Sequence, residues 1–243
     1  MSRVILFGAT SEIGQAILKC LPEKSRQEIT LVGSSKPSTG FSVDSETNFI
    51  FQDWSKLESA KGLFNEISSL PEQDLVIISL GYASAEEKQT EIDEMKKSLN
   101  ANLLWPLLCL EALASNNRIT HSTQTIFISS SLVSLPTTGK SFVYTNFKKS
   151  AEKIIKKGFI NGNYKGKYLF LRPGYAPTKL NSHLAPGSFA STPEGIAEIV
   201  IRGLESGKAN CVLHAPRKIS IMAELSRAVP EPILRRILEF LQR

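Results

Sequence analysis

Tyr144 and Lys148 stand four residues apart in the run Tyr-Thr-Asn-Phe-Lys. On a helix this spacing places a phenol and an ammonium group one turn apart on the same face. Groups of these types can exchange a proton with an oxygen atom of a substrate. The pair alone occurs by chance in many proteins, but here it follows three hydroxyls, Ser129-Ser130-Ser131, at the end of an apolar run. The combination indicates a catalytic site.

A glycine turn follows the first apolar run, Val4–Phe7. Glycine permits a tight turn and the close approach of a phosphate, and the helix that follows offers free N–H groups and a favourable dipole. An ordinary glycine turn is the alternative, but a position between the first strand and a helix favours a dinucleotide. The predicted contacts with the pyrophosphate are Gly8, Thr10, Ser11, Ile13 and Gly14.

The second apolar run ends in Ser34, Ser35 and Lys36 and carries no carboxylate there. An acidic residue at this point would bind the ribose diol and repel a 2′-phosphate, so its absence favours NADP(H) over NAD(H). Asp53 and Trp54 follow the third run and are candidate contacts for the adenine edge. Packing of Trp54 in the core or on the surface is an equal alternative for that residue.

Apolar runs alternate with helical patterns along the chain, which predicts a doubly wound α/β fold: one parallel sheet of about seven strands with helices on both faces. The sheet occupies residues 1–215, and residues 216–243 form a basic helical tail. Polar stretches at Ser38–Thr47 and Lys179–Thr192 indicate loops, the second of which covers the substrate. The predicted strands are Val4–Phe7, Ile29–Val32, Phe49–Phe51, Leu75–Leu80, Thr125–Ile128, Tyr168–Leu171 and Cys211–Leu213, and the helices are Ile13–Leu21, Ser55–Ser69, Glu86–Asn116, Tyr144–Phe159 and Pro193–Glu205.

Composition narrows the classes of function. Three separated cysteines, Cys20, Cys109 and Cys211, cannot build a disulfide framework, which favours a reducing compartment. No histidine cluster has the spacing of metal ligands, and no nucleic-acid-binding motif accompanies the net charge of +6. No apolar run approaches the roughly 20 residues that span a bilayer. We therefore expect a cytoplasmic protein that binds neither metal nor nucleic acid.

These motifs together resemble the short-chain dehydrogenase/reductase family, whose members have the Rossmann fold, over about Arg3–Gly207. In that family a serine precedes the tyrosine of the Tyr-x-x-x-Lys motif by thirteen residues, a position that Ser131 occupies here. The resemblance also assigns an active-site role to Asn102 in Ala101-Asn102-Leu103. Its further implied cofactor contacts, besides Tyr144 and Lys148, are Ser79, Leu80 and Gly81 after the fourth strand, and Pro173, Gly174 and Thr178 after the sixth.

The sequence departs from the pattern of the family at two turns. The family's turn has a third glycine where this chain has Glu12, and its Asn-Ala-Gly turn is Ser79-Leu80-Gly81. A carboxylate beside a pyrophosphate is unfavourable unless it points to solvent or meets a cation. The run Gly-x-Thr-Ser-Glu-Ile-Gly nevertheless resembles a branch of the family that acts on polyprenyl-phosphate sugars.

The resemblance implies an NAD(P)-dependent oxidoreductase that moves a hydride between nicotinamide and a ketone or secondary alcohol. Tyr144 would exchange the proton of the substrate oxygen, and Ser131 would donate a hydrogen bond to that oxygen. Lys148 would lower the pKa of Tyr144 and hold the nicotinamide ribose, and Asn102 would anchor a water chain. An unperturbed tyrosine has a pKa near 10, so the shift required is about three units.

The C-terminal tail, from Arg217 to Arg243, carries six basic and three acidic residues and an apolar stripe that includes Ile233, Leu234 and Leu241. It could dock on the body or on a second subunit, or it could rest on anionic lipid at the inner face of a membrane. The resemblance implies a homodimer or homotetramer formed through Leu103–Asn116 and Tyr144–Phe159.

Alternatives to a ketone reductase remain at this point. One is a regulator that senses NAD(P) without catalysis, although a regulator does not need Ser131, Tyr144 and Lys148 in register. Another is a reductase of a lipid-linked sugar at the membrane surface. A sugar-nucleotide epimerase or dehydratase would need a larger C-terminal domain than the residues after Pro186 provide.

Overall fold

One parallel sheet of seven strands forms the centre of the molecule, in the order β3-β2-β1-β4-β5-β6-β7. The computed structural model describes residues 2–37, 46–84, 88, 90–134, 142–181 and 190–216, together with residues 218, 221, 229 and 233. The predicted doubly wound fold is confirmed. The strands are β1 (Arg3–Phe7), β2 (Glu28–Gly33), β3 (Glu46–Phe51), β4 (Gln73–Ile78), β5 (Ile119–Ile128), β6 (Lys167–Pro173) and β7 (Cys211–Ala215).

Six α-helices cover the described part of the sheet: α1 (Glu12–Cys20), α2 (Ala60–Ser68), α3 (Ile92–Leu99), α4 (Trp105–Ser115), α5 (Phe142–Ile160) and α6 (Pro193–Glu205). The helix predicted over Glu86–Asn116 is helical without a gap from Ile92 to Ser115, and a π-helical turn at Asn100–Leu104 lies within it, between α3 and α4. This turn carries Asn102, whose side-chain amide is fully buried and holds the backbone of Tyr82. The contact of Asn102 with Tyr82 thus coincides with a π-helical turn inside the segment that apolar periodicity predicted to be one regular helix.

The strands bury side chains on both faces, as the unbroken apolar runs predicted. Ile5 and Phe7 of β1 pack in the layer that contains Trp105 and Phe127, beside α2, α4 and α5. Val4 and Leu6 pack in the opposite layer, beside α1 and α6. Because all seven strands run in parallel, their carboxyl ends share one edge of the sheet, and the strand order reverses between β1 and β4. Ligands of open α/β sheets bind in the crevice at such a reversal.

Two predicted loops and the tail fall largely outside the described residues. Residues 38–45 and 182–189 lie outside them, and Lys179–Asn181 forms a short 3-10 helix. The boundary at residue 215 coincides with the end of β7. Of the tail, only residues 216, 218, 221, 229 and 233 are described, so the predictions for it stay predictions. None of the described helices has the length and the hydropathy needed to cross a membrane.

Candidate active site

Tyr144 and Lys148 lie on α5, near the carboxyl edge of the sheet. Lys148 is only 2% exposed, whereas Tyr144 keeps part of its surface accessible. The Lys148 ammonium group donates to the carbonyl oxygens of Leu80 at 2.7 Å and Ile128 at 3.0 Å, which follow β4 and end β5. It also stands 5.0 Å from the centroid of the Phe127 ring. Of its three N–H donors, one is therefore left for a ligand within the described surroundings.

The serine that meets the tyrosine is Ser130. The side chain of Ser130 acts on the phenol of Tyr144 as a donor that lowers its pKa. Ser130 is 8% exposed and follows β5 by two residues, whereas Ser131 begins a 3-10 turn over Ser131–Ser134. The choice of Ser131, from a count of thirteen residues, stays a prediction, and the effect of Ser130 on the pKa of Tyr144 makes Ser130 a second candidate. The length of the segment between strand and helix decides which hydroxyl faces the tyrosine.

Burial controls the protonation states of both groups on α5. It raises the pKa of Tyr144 to about 12, and the hydrogen bond from Ser130 only partly opposes this rise. It also lowers the pKa of Lys148 to about 7, against the opposing effect of the Glu152 carboxylate. The expectation that Lys148 and an oxidised nicotinamide together favour the phenolate stays a prediction, since neither is among the causes of the shift in the pKa of Tyr144. At neutral pH Tyr144 is a protonated phenol, which is a proton donor.

Asn102 supports the segment that follows β4. Its amide nitrogen donates to the carbonyl oxygen of Tyr82 at 2.7 Å and to the hydroxyl of Ser98 at 3.1 Å. Its amide oxygen accepts from the backbone N–H of Tyr82 at 3.3 Å. The phenol of Tyr82 in turn donates to Glu94 of α3. Sequence reasoning missed Tyr82, although it stands next to Gly81 at the predicted end of a strand.

A buried ion pair holds α5 against β6. The Arg172 guanidinium meets both oxygens of Glu152, with its Nε 3.0 Å from Oε1, and it also donates to the Ser134 hydroxyl at 2.9 Å. The two side chains are 12% and 7% exposed. Glu152 lies one turn beyond Lys148, so the pair fixes α5 relative to the turn that follows Ser130. In the sequence, the only hint of this pair is the charged Glu152 at a helix position that faces inward.

The glycine turn is packed closely against the strand beside it. Gly8 has a φ of +94°, and a Cβ atom there would lie 2.5 Å from the carbonyl oxygen of Ser79, so only glycine fits. A Cβ atom at Gly14 would approach Leu6 to 2.8 Å. Ser11 caps α1 by accepting from the N–H of Gly14 at 3.2 Å, and its hydroxyl meets that of Ser79. Thr10 is exposed and Ile13 packs beside the core at the same turn.

Among the residues that the structure describes, Glu12 meets a backbone N–H and no cation. Its carboxylate accepts a hydrogen bond of 2.7 Å from the backbone N–H of Lys179. It therefore joins the glycine turn to the start of the segment after β6, directly after the buried Thr178. The negative charge also sits in the first turn of α1, where the helix dipole favours it.

The residues after β2 and β3 occupy the same edge of the sheet. Ser34, Ser35 and Lys36 are exposed. Asp53 accepts from the backbone N–H of Ser55 at 3.0 Å, and hydrogen bonds from Ser55 lower the pKa of the Asp53 carboxyl. The ring of Trp54 packs edge-on against Trp105 with centroids 5.1 Å apart, which agrees with its packing alternative.

The site fits a dinucleotide at its centre. Gly81 is exposed, and a Cβ atom there would lie 3.5 Å from both the Lys148 ammonium nitrogen and the Asn102 amide oxygen. Glycine at this position leaves space for a ligand beside the free donor of Lys148. Pro173 ends β6, and the N–H of Gly174 donates to the carbonyl oxygen of Ala215 at 2.7 Å, which holds the segment before Thr178.

Comparison with solved structures identifies the fold. A short-chain dehydrogenase family protein from Francisella tularensis subsp. tularensis SCHU S4 superposes with a TM-score of 0.72 at 18% identity, over 88% of this chain and 96% of that one. The chain has the fold of the short-chain dehydrogenases/reductases. An alcohol dehydrogenase from the archaeon Thermococcus sibiricus, complexed with 5-hydroxy-NADP, gives a TM-score of 0.68 at 22% identity over 88% and 95% of the two chains.

A third similar structure is a short-chain dehydrogenase/reductase from Burkholderia multivorans with bound NADP, at a TM-score of 0.70 and 16% identity over 88% of this chain and 96% of that one. No family model matches the sequence. No curated protein matches it either. The similarity to short-chain dehydrogenases/reductases therefore lies in the fold. Across the described residues, no group of three histidines, cysteines or acids could hold a metal ion.

Proposed function

We propose that the protein is an NADP(H)-dependent oxidoreductase that reduces a ketone to a secondary alcohol. The proposal rests on two groups of α5. The Lys148 ammonium group donates to the carbonyl oxygens of Leu80 and Ile128, at the carboxyl ends of β4 and β5, and keeps one N–H for a ligand. The Tyr144 phenol, whose pKa Ser130 lowers, is the proton donor. A regulator that only binds the cofactor has no use for a buried lysine with its pKa lowered to about 7.

Each residue of the proposed site has a separate role in the reaction. Bound nicotinamide supplies the hydride or accepts it. Tyr144 donates its proton to the carbonyl oxygen, and its pKa of about 12 keeps the phenol protonated at neutral pH, which supports the direction of reduction. Ser130 takes the role expected of Ser131 and donates a hydrogen bond to the oxygen on which charge develops. Lys148 holds the ribose with its remaining N–H, and Asn102 fixes the segment that carries Gly81.

The cofactor site comprises three groups of residues. The pyrophosphate would lie at the turn from Gly8 to Gly14, where Ser11 and Ser79 already satisfy each other. The exposed Ser34, Ser35 and Lys36 support a 2′-phosphate, since Lys36 supplies a positive charge and no carboxylate follows β2. The remaining contacts proposed are Asp53, Trp54, Ser79, Leu80, Gly81, Pro173, Gly174 and Thr178.

Homo-oligomer formation also remains a proposal. Helix α4 supports it better than α5 does, because Leu107 and Leu108 are partly buried and could be covered by a second copy. A lipid-linked substrate and contact of the tail with a membrane stay predictions of the sequence.

A titration tests the proposal directly. Fluorescence titration with NADPH and NADH should show tighter binding of NADPH, and turnover of NADPH should follow with at least one member of a panel of ketones and keto-sugars. Equal binding of both cofactors would remove the role assigned to Ser34–Lys36. Binding of NADPH with no turnover on any carbonyl would favour the regulator.

A further inference from the structure

The outward side of α5 is a row of lysines. Lys149, Lys153, Lys156 and Lys157 are all exposed, and within the described part of the chain none of them forms an ion pair. Spacings of three and four residues place these lysines on one side of a helix. Helix α5 runs over 19 residues and is therefore about 28 Å long. The row thus runs along about 12 Å in the middle of this helix.

The segment that contains this edge carries a surplus equal to the net charge of the whole protein. Residues 142–167 contain seven lysines and one glutamate, a surplus equal to the +6 of the entire chain. The remaining residues, including the basic tail, therefore balance one another. The one glutamate, Glu152, is buried and bound to Arg172, so it cannot neutralise the exposed lysines. The outward side of α5 therefore carries four exposed positive charges and no exposed negative one.

Large apolar side chains accompany the lysines. Phe142 and Ile160 are 57% and 67% exposed and lie at the two ends of the row, eighteen residues apart and hence on the same line along the helix. Ile154, at its flank, is 44% exposed. We call Phe142, Lys149, Lys153, Lys156, Lys157 and Ile160 the lysine face.

We propose that the lysine face binds the surface of an anionic lipid bilayer. Lysines beside exposed phenylalanine and isoleucine suit the boundary between head groups and acyl chains, where ammonium groups meet lipid phosphates and apolar side chains enter the membrane. The face contains no arginine, the residue favoured for nucleic-acid recognition. Two copies of the face would oppose eight lysines without an exposed acid, which disfavours a homodimer through α5.

Attachment through this face would place the bilayer along the side of α5 opposite to Tyr144 and Lys148. Phe142 begins α5 two residues before Tyr144, so its end of the lysine face is also the catalytic end of the helix. The proposal concerns binding alone and does not depend on the reaction that Tyr144 performs.

Co-sedimentation with vesicles tests the proposal. The whole chain should bind vesicles of phosphatidylcholine and phosphatidylglycerol, and it should not bind vesicles of phosphatidylcholine alone. Each lysine near an anionic surface contributes about fivefold, so the triple variant Lys153→Gln, Lys156→Gln, Lys157→Gln should bind about a hundredfold more weakly. A matched variant, Lys24→Gln, Lys61→Gln, Lys208→Gln, removes three exposed lysines elsewhere and should bind like the wild type.

All variants keep the tail, so a difference between the two triple variants belongs to α5. Thermal melting of each variant should match that of the wild type, because the substituted lysines are exposed. Equal loss of binding in both triple variants, or no binding of the wild type to phosphatidylglycerol vesicles, would overturn the proposal. So would binding to duplex DNA in place of vesicles, or a wild-type dimer that the α5 variant dissociates.

Discussion

The turn between β1 and α1 and the catalytic end of β4 and β5 lie at the same edge of the sheet but are built differently. At the turn, the backbone is fixed by steric contacts around Gly8 and Gly14, and the polar side chain of Ser11 is already paired. At the catalytic end, burial moves the pKa of Lys148 down to about 7 and that of Tyr144 up to about 12. The glycine turn is shaped for a ligand, whereas the catalytic end keeps two titratable groups with strongly shifted pKa values.

This difference assigns separate effects to substitutions. Changes at the turn should alter the affinity for the cofactor, because the groups there only bind. Changes at Ser130, Tyr144 and Lys148 should alter turnover, because these groups move or stabilise protons and charge. A substitution at the turn that stopped turnover without changing affinity would contradict the division.

Among the tests of this comparison, the largest expected difference is in kcat between variants of two adjacent serines. Ser130→Ala should lower kcat about a hundredfold, since a donor to the developing oxyanion is lost. Ser131→Ala is the matched control and should change kcat less than about threefold, because in this proposal Ser130 is the donor to the substrate oxygen. Steady-state kinetics on the same ketone compares them. The reverse ranking would restore Ser131 to the role that the residue count predicted.

A smaller effect concerns the stability of the catalytic end. The folded protein disfavours charged Lys148, whose pKa falls from 10.5 to about 7. Below pH 7 both the folded and the unfolded state hold the proton and the full burial penalty is present, and the penalty disappears as the pH rises to 10.5. Lys148→Met should therefore stabilise the protein by about 1–3 kcal/mol near pH 6, less than the full shift implies because Leu80 and Ile128 lose a hydrogen-bond donor.

Urea unfolding at several pH values measures this effect. The gain of the Lys148→Met variant should shrink toward alkaline pH. Lys149→Met, at the exposed neighbouring position, should stay within about 0.5 kcal/mol of the wild type throughout. A destabilised Lys148→Met variant at acidic pH would show that the lysine is not strained by burial.

The smallest effect belongs to the turn. Glu12→Gln removes a negative charge beside the proposed pyrophosphate site, while the amide oxygen can still accept from the N–H of Lys179. The dissociation constant for NADPH should fall about threefold to fivefold, with kcat unchanged, because an exposed charge interaction of this kind is modest. Fluorescence titration measures the affinity. Weaker binding by Glu12→Gln would mean that the carboxylate helps to hold the cofactor.

The fold could be predicted because both faces of the sheet are buried. Runs such as Val4–Phe7 and Leu75–Leu80 are apolar throughout, and the helical patterns between them leave few arrangements besides a doubly wound sheet. The π-helical turn between α3 and α4 could not be predicted in this way. It depends on a contact between Asn102 and the backbone of Tyr82, twenty residues away in sequence.

The sequence predicted which kinds of side chain form the candidate site better than it predicted their contacts. Spacing on one helix fixes the relation of Tyr144 to Lys148, since four residues make about one turn. It does not fix the relation of Tyr144 to a serine on another element, where Ser130 and Ser131 are both candidates. Pairings across the fold, such as Glu152 with Arg172 and Glu12 with Lys179, depend on tertiary contacts that no local pattern reveals.

The most direct measurement compares NADPH affinity and ketone turnover in the wild type and in Tyr144→Phe. Phenylalanine preserves the ring and removes only the proton donor. Turnover should fall at least about a thousandfold, as expected when a general acid is lost, and the dissociation constant for NADPH should stay within about threefold. Turnover that survives in Tyr144→Phe would contradict proton transfer by this phenol, and with it the catalytic site built on α5.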